Sequence, residues 1–333
     1  MKIAIFAAGT GGHIFPALSI AEEFKKDDVI FFASNKELEK QIYQKTDYKV
    51  IHMNISGFRG KSIFEKIIWP VNFIFNLFRV AFIFISFNPK KVLLMGGYIS
   101  SLGLVIGKIF FKSIYLHEQN SILGTSNSFA KNFAKKIFTS FELGLSNELN
   151  FGNPIRKDIR ESSYSDNWDK ENILIIGGSQ GSKFFNENLP QILEDSDISE
   201  KIIFQKGNHQ INFTSNKIEF VDFIDNISEV FTKTKFIICR SGASTVAELQ
   251  SYGMPALFFP LPNSIDDHQK YNATFAAKGG GALVFNEREF NKEEFLADLN
   301  RFNTLDLREL SKKIKKGIHF DAAKKIADEI KQN

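Results

Sequence analysis

Six short clusters in this 333-residue chain combine the residue types that hold phosphates and sugars. The first, Gly9-Thr10-Gly11-Gly12-His13, follows an apolar run and opens a helical pattern. Glycines at such a turn let the backbone approach a ligand, and a helix N-terminus offers unpaired amides and a positive dipole end to phosphate oxygens. The same arrangement recurs at Gly96-Gly97-Tyr98 and at Gly177-Gly178-Ser179-Gln180-Gly181-Ser182. A tight turn without a ligand is the plain alternative for any one of them. Together they imply phosphates on both sides of a cleft, with the Ser179 hydroxyl and the Arg156 guanidinium as further donors. His117-Glu118-Gln119-Asn120 places polar side chains at another strand end. The run from Arg240 to Glu248 reads as a helix capped by Ser241 or Ser244. Glu248 lies one turn further in, able to accept from a pair of sugar hydroxyls. Asp266-Asp267-His268-Gln269 precedes a helix and offers donors and acceptors suited to a sugar.

Other chemistries fall away. A dinucleotide fingerprint started at Gly9 would need glycine where Ile14 stands, and no G-x-x-x-x-G-K-[ST] phosphate loop is present. No His/Asp/Glu cluster has zinc spacing, and one cysteine, Cys239, forms no internal disulfide. The lone cysteine and an N-terminus without a cleavable signal pattern point to the cytoplasm.

The elements that position these clusters alternate. KIAIFAA, VIFFA, KVIHMNI, KKVLLMGG and SIYLHE read as buried strands, with helical patterns between them, including stretches near 102–111 and 125–134. Such alternation predicts a parallel sheet covered by helices on both faces. A polar stretch at 156–172 interrupts the rhythm, which then restarts at ENILIIGG and runs through a second α/β unit to Lys-rich amphipathic helices at 307–331. The fold class predicted is α/β, with two Rossmann-like parallel domains facing across a cleft.

With 43% hydrophobic and 24% charged residues the chain has the composition of a folded globular protein. Its net charge is +4, but residues 1–155 carry 18 Lys+Arg against 11 Asp+Glu, so the basic surface belongs to the first half. That asymmetry suits a phosphate-bearing ligand or a membrane surface. Residues 63–87 contain 7 of the 36 phenylalanines and 18 apolar residues in all. Lys66 and Arg79 break the run too closely for a spanning helix, which needs about 20 apolar residues. With Pro70 taken as a first-turn residue, Asn72, Asn76, Arg79 and Ser86 fall on one narrow stripe. The remaining apolar surface needs a second partner, either more protein or the boundary of a bilayer.

Taken in order and at their intervals, GTGGHIFPAL, GGYIS, HEQN, GNPIR, GGSQGS, RSGASTVAEL and DHQKYNA resemble the MurG family, from about Lys2 to Ala277. That family has the two-lobed GT-B fold and transfers N-acetylglucosamine from UDP to undecaprenyl-pyrophosphoryl N-acetylmuramoyl-pentapeptide, converting lipid I to lipid II. The resemblance implies an acceptor and membrane-binding domain over 1–155, onto which a C-terminal helix at about 318–333 packs back. The donor domain would be 156–317. Gly9, Thr10, Gly11, Gly12, Gly96, Gly97 and Tyr98 would face the acceptor pyrophosphate. Arg156 and Ser179 match UDP-phosphate contacts, Ile224 the uracil contact, Glu248 the ribose-binding acid, and Gln269 the residue that recognises N-acetylglucosamine hydroxyls. Thr10, Gly11, Gly12, Asn120 and Asn127 match donor-sugar or catalytic positions of the first lobe. Phe64, Trp69, Phe73, Phe75 and Phe78 coincide with the membrane-contact region. The sequence departs from the family at Ala8, usually glycine, and at Ser101-Leu102, usually Gly-Pro.

An inverting single displacement needs a base for the 4-hydroxyl of the muramoyl sugar and a stabiliser for departing UDP. His13 is the candidate base, hydrogen bonding to phosphate being its alternative role. The expected partners are UDP-N-acetylglucosamine, lipid I and an anionic inner-membrane surface. The protein would sit peripherally on the cytoplasmic face, with no nucleic acid, cofactor or metal. Rival readings are another GT-B enzyme, such as a glycolipid transferase or UDP-sugar epimerase, and a non-catalytic UDP-sugar-binding scaffold.

Overall fold

The structure is a computed structural model that describes residues 1–9, 11–55, 57, 62–178, 180–262, 264, 267–315 and 321–332. It divides into two compact units, Met1–Arg156 with the C-terminal helix, and the chain from Lys157 onward to that helix.

In the first unit the short apolar runs are strands β1 (Ile3–Phe6), β2 (Val29–Ser34), β3 (Lys49–Met53), β4 (Lys91–Leu94), β5 (Ser113–Glu118), β6 (Lys136–Thr139) and β7 (Glu148–Asn150). They pair in parallel in the order β3-β2-β1-β4-β5-β6-β7. Helices α1 (Gly11–Ala21), α2 (Glu37–Gln44), α3 (Ile63–Phe87), α4 (Ile99–Ile109) and α5 (Thr125–Ala130) make the crossovers. Both faces are covered, which is why the central strands are buried at every position rather than alternating. Phe6 and Phe32 stack at 4.6 Å on one face, where Phe84 of α3 joins them. On the other face Ile14, Ala17 and Ile20 of α1 pack with Ala323, Ile326 and Ile330 of the C-terminal helix.

The second unit repeats the plan with β8 (Asn172–Ile176), β9 (Lys201–Gln205), β10 (Ile218–Val221), β11 (Thr234–Cys239), β12 (Ala256–Phe258) and β13 (Ala282–Val284), parallel in the order β10-β9-β8-β11-β12-β13. Its helices are α6 (Lys157–Arg160), α7 (Lys183–Asp195), α8 (Ile227–Lys233), α9 (Ala243–Tyr252), α10 (His268–Ala277), α11 (Lys292–Asn303) and α12 (Leu307–Ile314), and α13 (Ala322–Gln332) closes the chain. Strand order reverses between β1 and β4 in one sheet and between β8 and β11 in the other. A doubly wound sheet forms its ligand crevice at the carboxyl ends of such strands, and the glycine clusters follow β1, β4 and β8.

Several local expectations shift. Helix α4 begins at Ile99 and α5 ends at Ala130, because the chain must turn before Lys135 bonds to Ile114 O and enters β6. Strands β7 and β13 have three residues each, too short to carry a periodic signal. Pro70 lies inside α3 rather than in its first turn; the helix continues on both sides of the missing N–H. The residue capping α9 is Gly242, not Ser241 or Ser244, and no side chain bonds the cap.

Candidate active site

The first glycine turn is pinned from beneath. Gly9, at φ +114°, donates its N–H to Glu39 Oε1 at 2.8 Å. Glu39, fully buried on α2, also accepts from the Ser34 N–H at 2.8 Å and the Ser34 hydroxyl at 2.5 Å. The Gly9 amide therefore faces the protein and is not a donor for the acceptor pyrophosphate. Ala8, where the family has glycine, is absent from the positive-φ residues, and its methyl is buried in the core. Thr10 and Ser179 lie outside the described residues.

His13 sits in the first turn of α1. Its Nδ1 lies 2.7 Å from Met95 O and 3.1 Å from Gln119 Oε1, and Gln119 Nε2 donates to the same carbonyl at 3.0 Å. A carbonyl only accepts, so Nδ1 carries the proton and Nε2 is left as the basic nitrogen. Gly96, at φ +94°, makes room for the ring: a Cβ there would lie 3.0 Å from His13 Cε1 and 3.3 Å from both His13 Nδ1 and Asn127 Nδ2. The ends of β1, β4 and β5 thus converge on one imidazole.

The HEQN segment supplies the frame. Buried Glu118 accepts from the Asn120 N–H at 3.0 Å, Asn120 Nδ2 at 3.1 Å, the Gly124 N–H at 2.9 Å and Asn127 Nδ2 at 2.8 Å. Both asparagine NH2 groups predicted to meet the donor sugar are therefore turned toward Glu118. His117 is fully buried, and burial pushes its imidazole down to about 4, so it is neutral. Its Nε2 lies 3.4 Å from Gly152 O, next to the GNPIR segment. Arg156 falls in the first unit, its guanidinium 4.8 Å from the Phe15 ring on α1. Tyr98 differs from expectation. Its hydroxyl is buried beside Ser34 and Glu39, burial raises its pKa, and Lys36 lies over its ring, so the phenol is not presented to a pyrophosphate.

In the second unit Gly178 and Gly181 take φ +103° and +79°. A Cβ on Gly181 would collide with Lys206 O, and one on Gly207 with Gln180 O. Two backbones touch there, which only glycine permits. Ser182 caps α7 by accepting from the Phe185 N–H at 3.3 Å, and receives Arg240 Nη2 at 2.6 Å. Arg240 also donates to Phe259 O at 3.2 Å, pairs with Glu287 and stacks on Phe185. Burial lowers the Arg240 pKa and raises that of Glu287. The Ile224 N–H is accepted by Gln205 Oε1 at 3.1 Å. Ser241 Oγ donates to Gln269 O at 2.8 Å, and Asn272 Nδ2 to Ser241 O at 3.2 Å, tying the start of α10 to the turn before α9 that carries Glu248. Gln269 Oε1 accepts from the Leu261 N–H at 3.0 Å. Asp266 lies outside the described residues. Among those described, no three His, Cys, Asp or Glu gather as a metal site.

On α3, Phe64, Phe75 and Phe78 are exposed at 72%, 69% and 72%, with Ile67, Val71, Ile74, Phe82 and Ile85 on the same side. Phe73 instead packs toward the core, and Trp69 stacks on it at 5.0 Å. By length and composition Ile67–Phe87 could cross a bilayer, contrary to the sequence expectation. Contacts argue otherwise: Val80 and Phe84 are buried in the core, Asn76 donates to Asn54 O at 3.1 Å, and Arg79 to His52 O at 3.0 Å. Asn76 and Arg79 of the polar stripe thus bond to the chain at the end of β3, while Asn72 and Ser86 stay exposed.

Glu39, Gln205 and the Arg240–Glu287 pair were not singled out from sequence. Gln205 ends a strand at the level of the glycine turns, a signal that could have found it.

Residues 3–139 match the glycosyltransferase family 28 N-terminal domain and 172–332 its C-terminal domain. Two parallel sheets with glycine turns at their switch points are, in this class, the GT-B architecture of glycosyltransferases. A protein of Buchnera aphidicola subsp. Baizongia pistaciae, named UDP-N-acetylglucosamine–N-acetylmuramyl-(pentapeptide) pyrophosphoryl-undecaprenol N-acetylglucosamine transferase, is 34% identical over 98% of this chain and 97% of its own. The Haemophilus influenzae (strain PittEE) protein of that name is 31% identical, over 99% and 98%. The crystal structure of Acinetobacter baumannii MurG matches with a TM-score of 0.78 at 25% identity, covering 100% of both chains. The chain belongs to the MurG family.

Proposed function

We propose that this chain transfers N-acetylglucosamine from UDP-N-acetylglucosamine to the 4-hydroxyl of the muramoyl sugar of lipid I, forming lipid II for peptidoglycan synthesis. The observation that carries the reading is near-full-length identity to transferases of that name, 34% over 98% of the chain. The transfer is an inverting displacement. His13 Nε2 takes the hydroxyl proton as the oxygen attacks the anomeric carbon and the bond to UDP breaks. The imidazolium keeps its Nδ1–H on Met95 O, with Gln119 Oε1 alongside, so the ring needs no reorientation when it charges. Departing diphosphate is met by the glycine turn before α7 and by the N-terminus of α7. Glu248 holds the ribose hydroxyls and Gln269 those of the amino sugar. The acceptor pyrophosphate lies at the start of α1 and the Gly96-Gly97 turn, and the exposed face of α3 rests on an anionic membrane surface at the cytoplasmic side.

UDP release measured with and without a lipid I analogue tests the reading. Release is expected only with the acceptor, and to fall by at least about 100-fold in His13→Ala, the range of general-base catalysis. Acceptor-independent turnover, or an unimpaired His13→Ala enzyme, would refute transfer or the base respectively.

A further inference from the structure

We propose that Gln205 is a positioning residue that fixes the two halves of the nucleotide site to each other; this rests on the reading that the second unit binds the UDP donor. Gln205 ends β9 and is only 4% exposed. Its Nε2 donates to Gly178 O at 2.9 Å, and its Oε1 accepts from the Ile224 N–H at 3.1 Å. One side-chain amide therefore spans the turn assigned to the diphosphate and the segment assigned to the base. A primary amide suits this position because it carries a donor and an acceptor on one planar group. Glutamate could keep only the Ile224 bond, and methionine, of similar length, neither.

The surrounding contacts explain why the bridge controls position. Gly181 and Gly207 touch backbone to backbone, and Asn186 Nδ2 donates to Lys206 O at 3.0 Å, so the turn after β9 is already locked against the glycine turn. Gln205 extends that lock to Ile224, whose segment follows β10 at the sheet's edge. Without the bridge the edge segment and the glycine turn move independently, and a ligand that spans both must order them as it binds. The loss then falls on binding rather than on the chemical step.

The test is calorimetric titration of wild type, Gln205→Met and Gln205→Glu with UDP, together with steady-state kinetics on UDP-N-acetylglucosamine. Gln205→Met is expected to raise the Kd for UDP and the donor KM about 10-fold, with kcat within about two-fold; losing two hydrogen bonds supports a change of that size. Gln205→Glu, whose carboxylate faces Gly178 O and the diphosphate, is expected to lose more. A merely destabilising change would lower the active fraction and leave KM unmoved. Hydrogen exchange on the wild-type protein gives a second readout, with the Ile224 amide expected to be protected before nucleotide is added. Unaltered UDP affinity in Gln205→Met, or rapid exchange at Ile224, overturns the inference alone. Absence of UDP binding by wild type overturns the donor reading as well.

Discussion

Gly96→Ala is the smallest change that tests whether the His13 ring is held for catalysis. The new Cβ would lie 3.0 Å from Cε1, inside the 3.4 Å at which ordinary contact begins, so the ring must retreat by about 0.4 Å. If about 1 Å of misplacement costs about 100-fold in rate, that retreat costs about six-fold in kcat. Alanine at φ +94° adds backbone strain of about 1–2 kcal/mol, visible as lost stability. Gly144→Ala separates the two effects, since Gly144 has φ +70° with nothing within 4 Å of the added methyl. Both variants should lose similar stability in urea, but only Gly96→Ala should lose kcat, with donor KM unchanged. Equal kcat in the two variants would refute the claim that the Gly96 backbone sets the ring.

Other consequences can be checked independently. His117 titrates near 4 in the fold against 6.5 unperturbed, so the unfolded chain takes the proton first. Its contribution is intact above about pH 6.5 and is lost as pH falls toward 4, amounting to about 2 kcal/mol at pH 5. His117→Gln should weaken the pH dependence of urea unfolding by that amount, and an unchanged dependence would contradict it. Glu39→Gln turns an NH2 group toward an N–H of Gly9 or Ser34 and should cost about 1–3 kcal/mol in unfolding free energy. A loss below about 0.5 kcal/mol would show that the turn does not depend on the carboxylate. Phe75→Ser with Phe78→Ser removes two exposed rings, each worth about 1.5–3 kcal/mol when buried. Partitioning onto phosphatidylglycerol vesicles should fall about 100-fold without a change in thermal stability, and undiminished partitioning would remove α3 from the membrane contact.

What was legible in the chain followed from repetition. Runs such as VIFFA and VLL are continuously apolar because helices cover both faces, so they announced buried parallel strands, whereas three-residue β7 and β13 had no room for a pattern. The glycine turns were legible because backbone geometry demands the residue type. The supports beneath them were not. Glu39 reaches Gly9, and Gln119 reaches His13, across spans of sequence that carry no periodic signal. Tyr98 shows the limit of motif reading, since its neighbours in sequence face the turn while its hydroxyl is buried beside Ser34. Asn120 and Asn127 were noted, yet it is the Glu118 carboxylate, accepting from both, that organises the segment.

The return of α13 to α1 has a consequence for biosynthesis. Ala323, Ile326 and Ile330 complete one face of the first core, and Lys331 Nζ donates to Glu23 O at 2.6 Å. The half of the molecule that leaves the ribosome first is thus the half that finishes last, waiting for its closing helix while the later-made half already has all its strands. A nascent chain stalled just short of that helix should carry a protease-resistant second unit behind a first unit that is still open to attack.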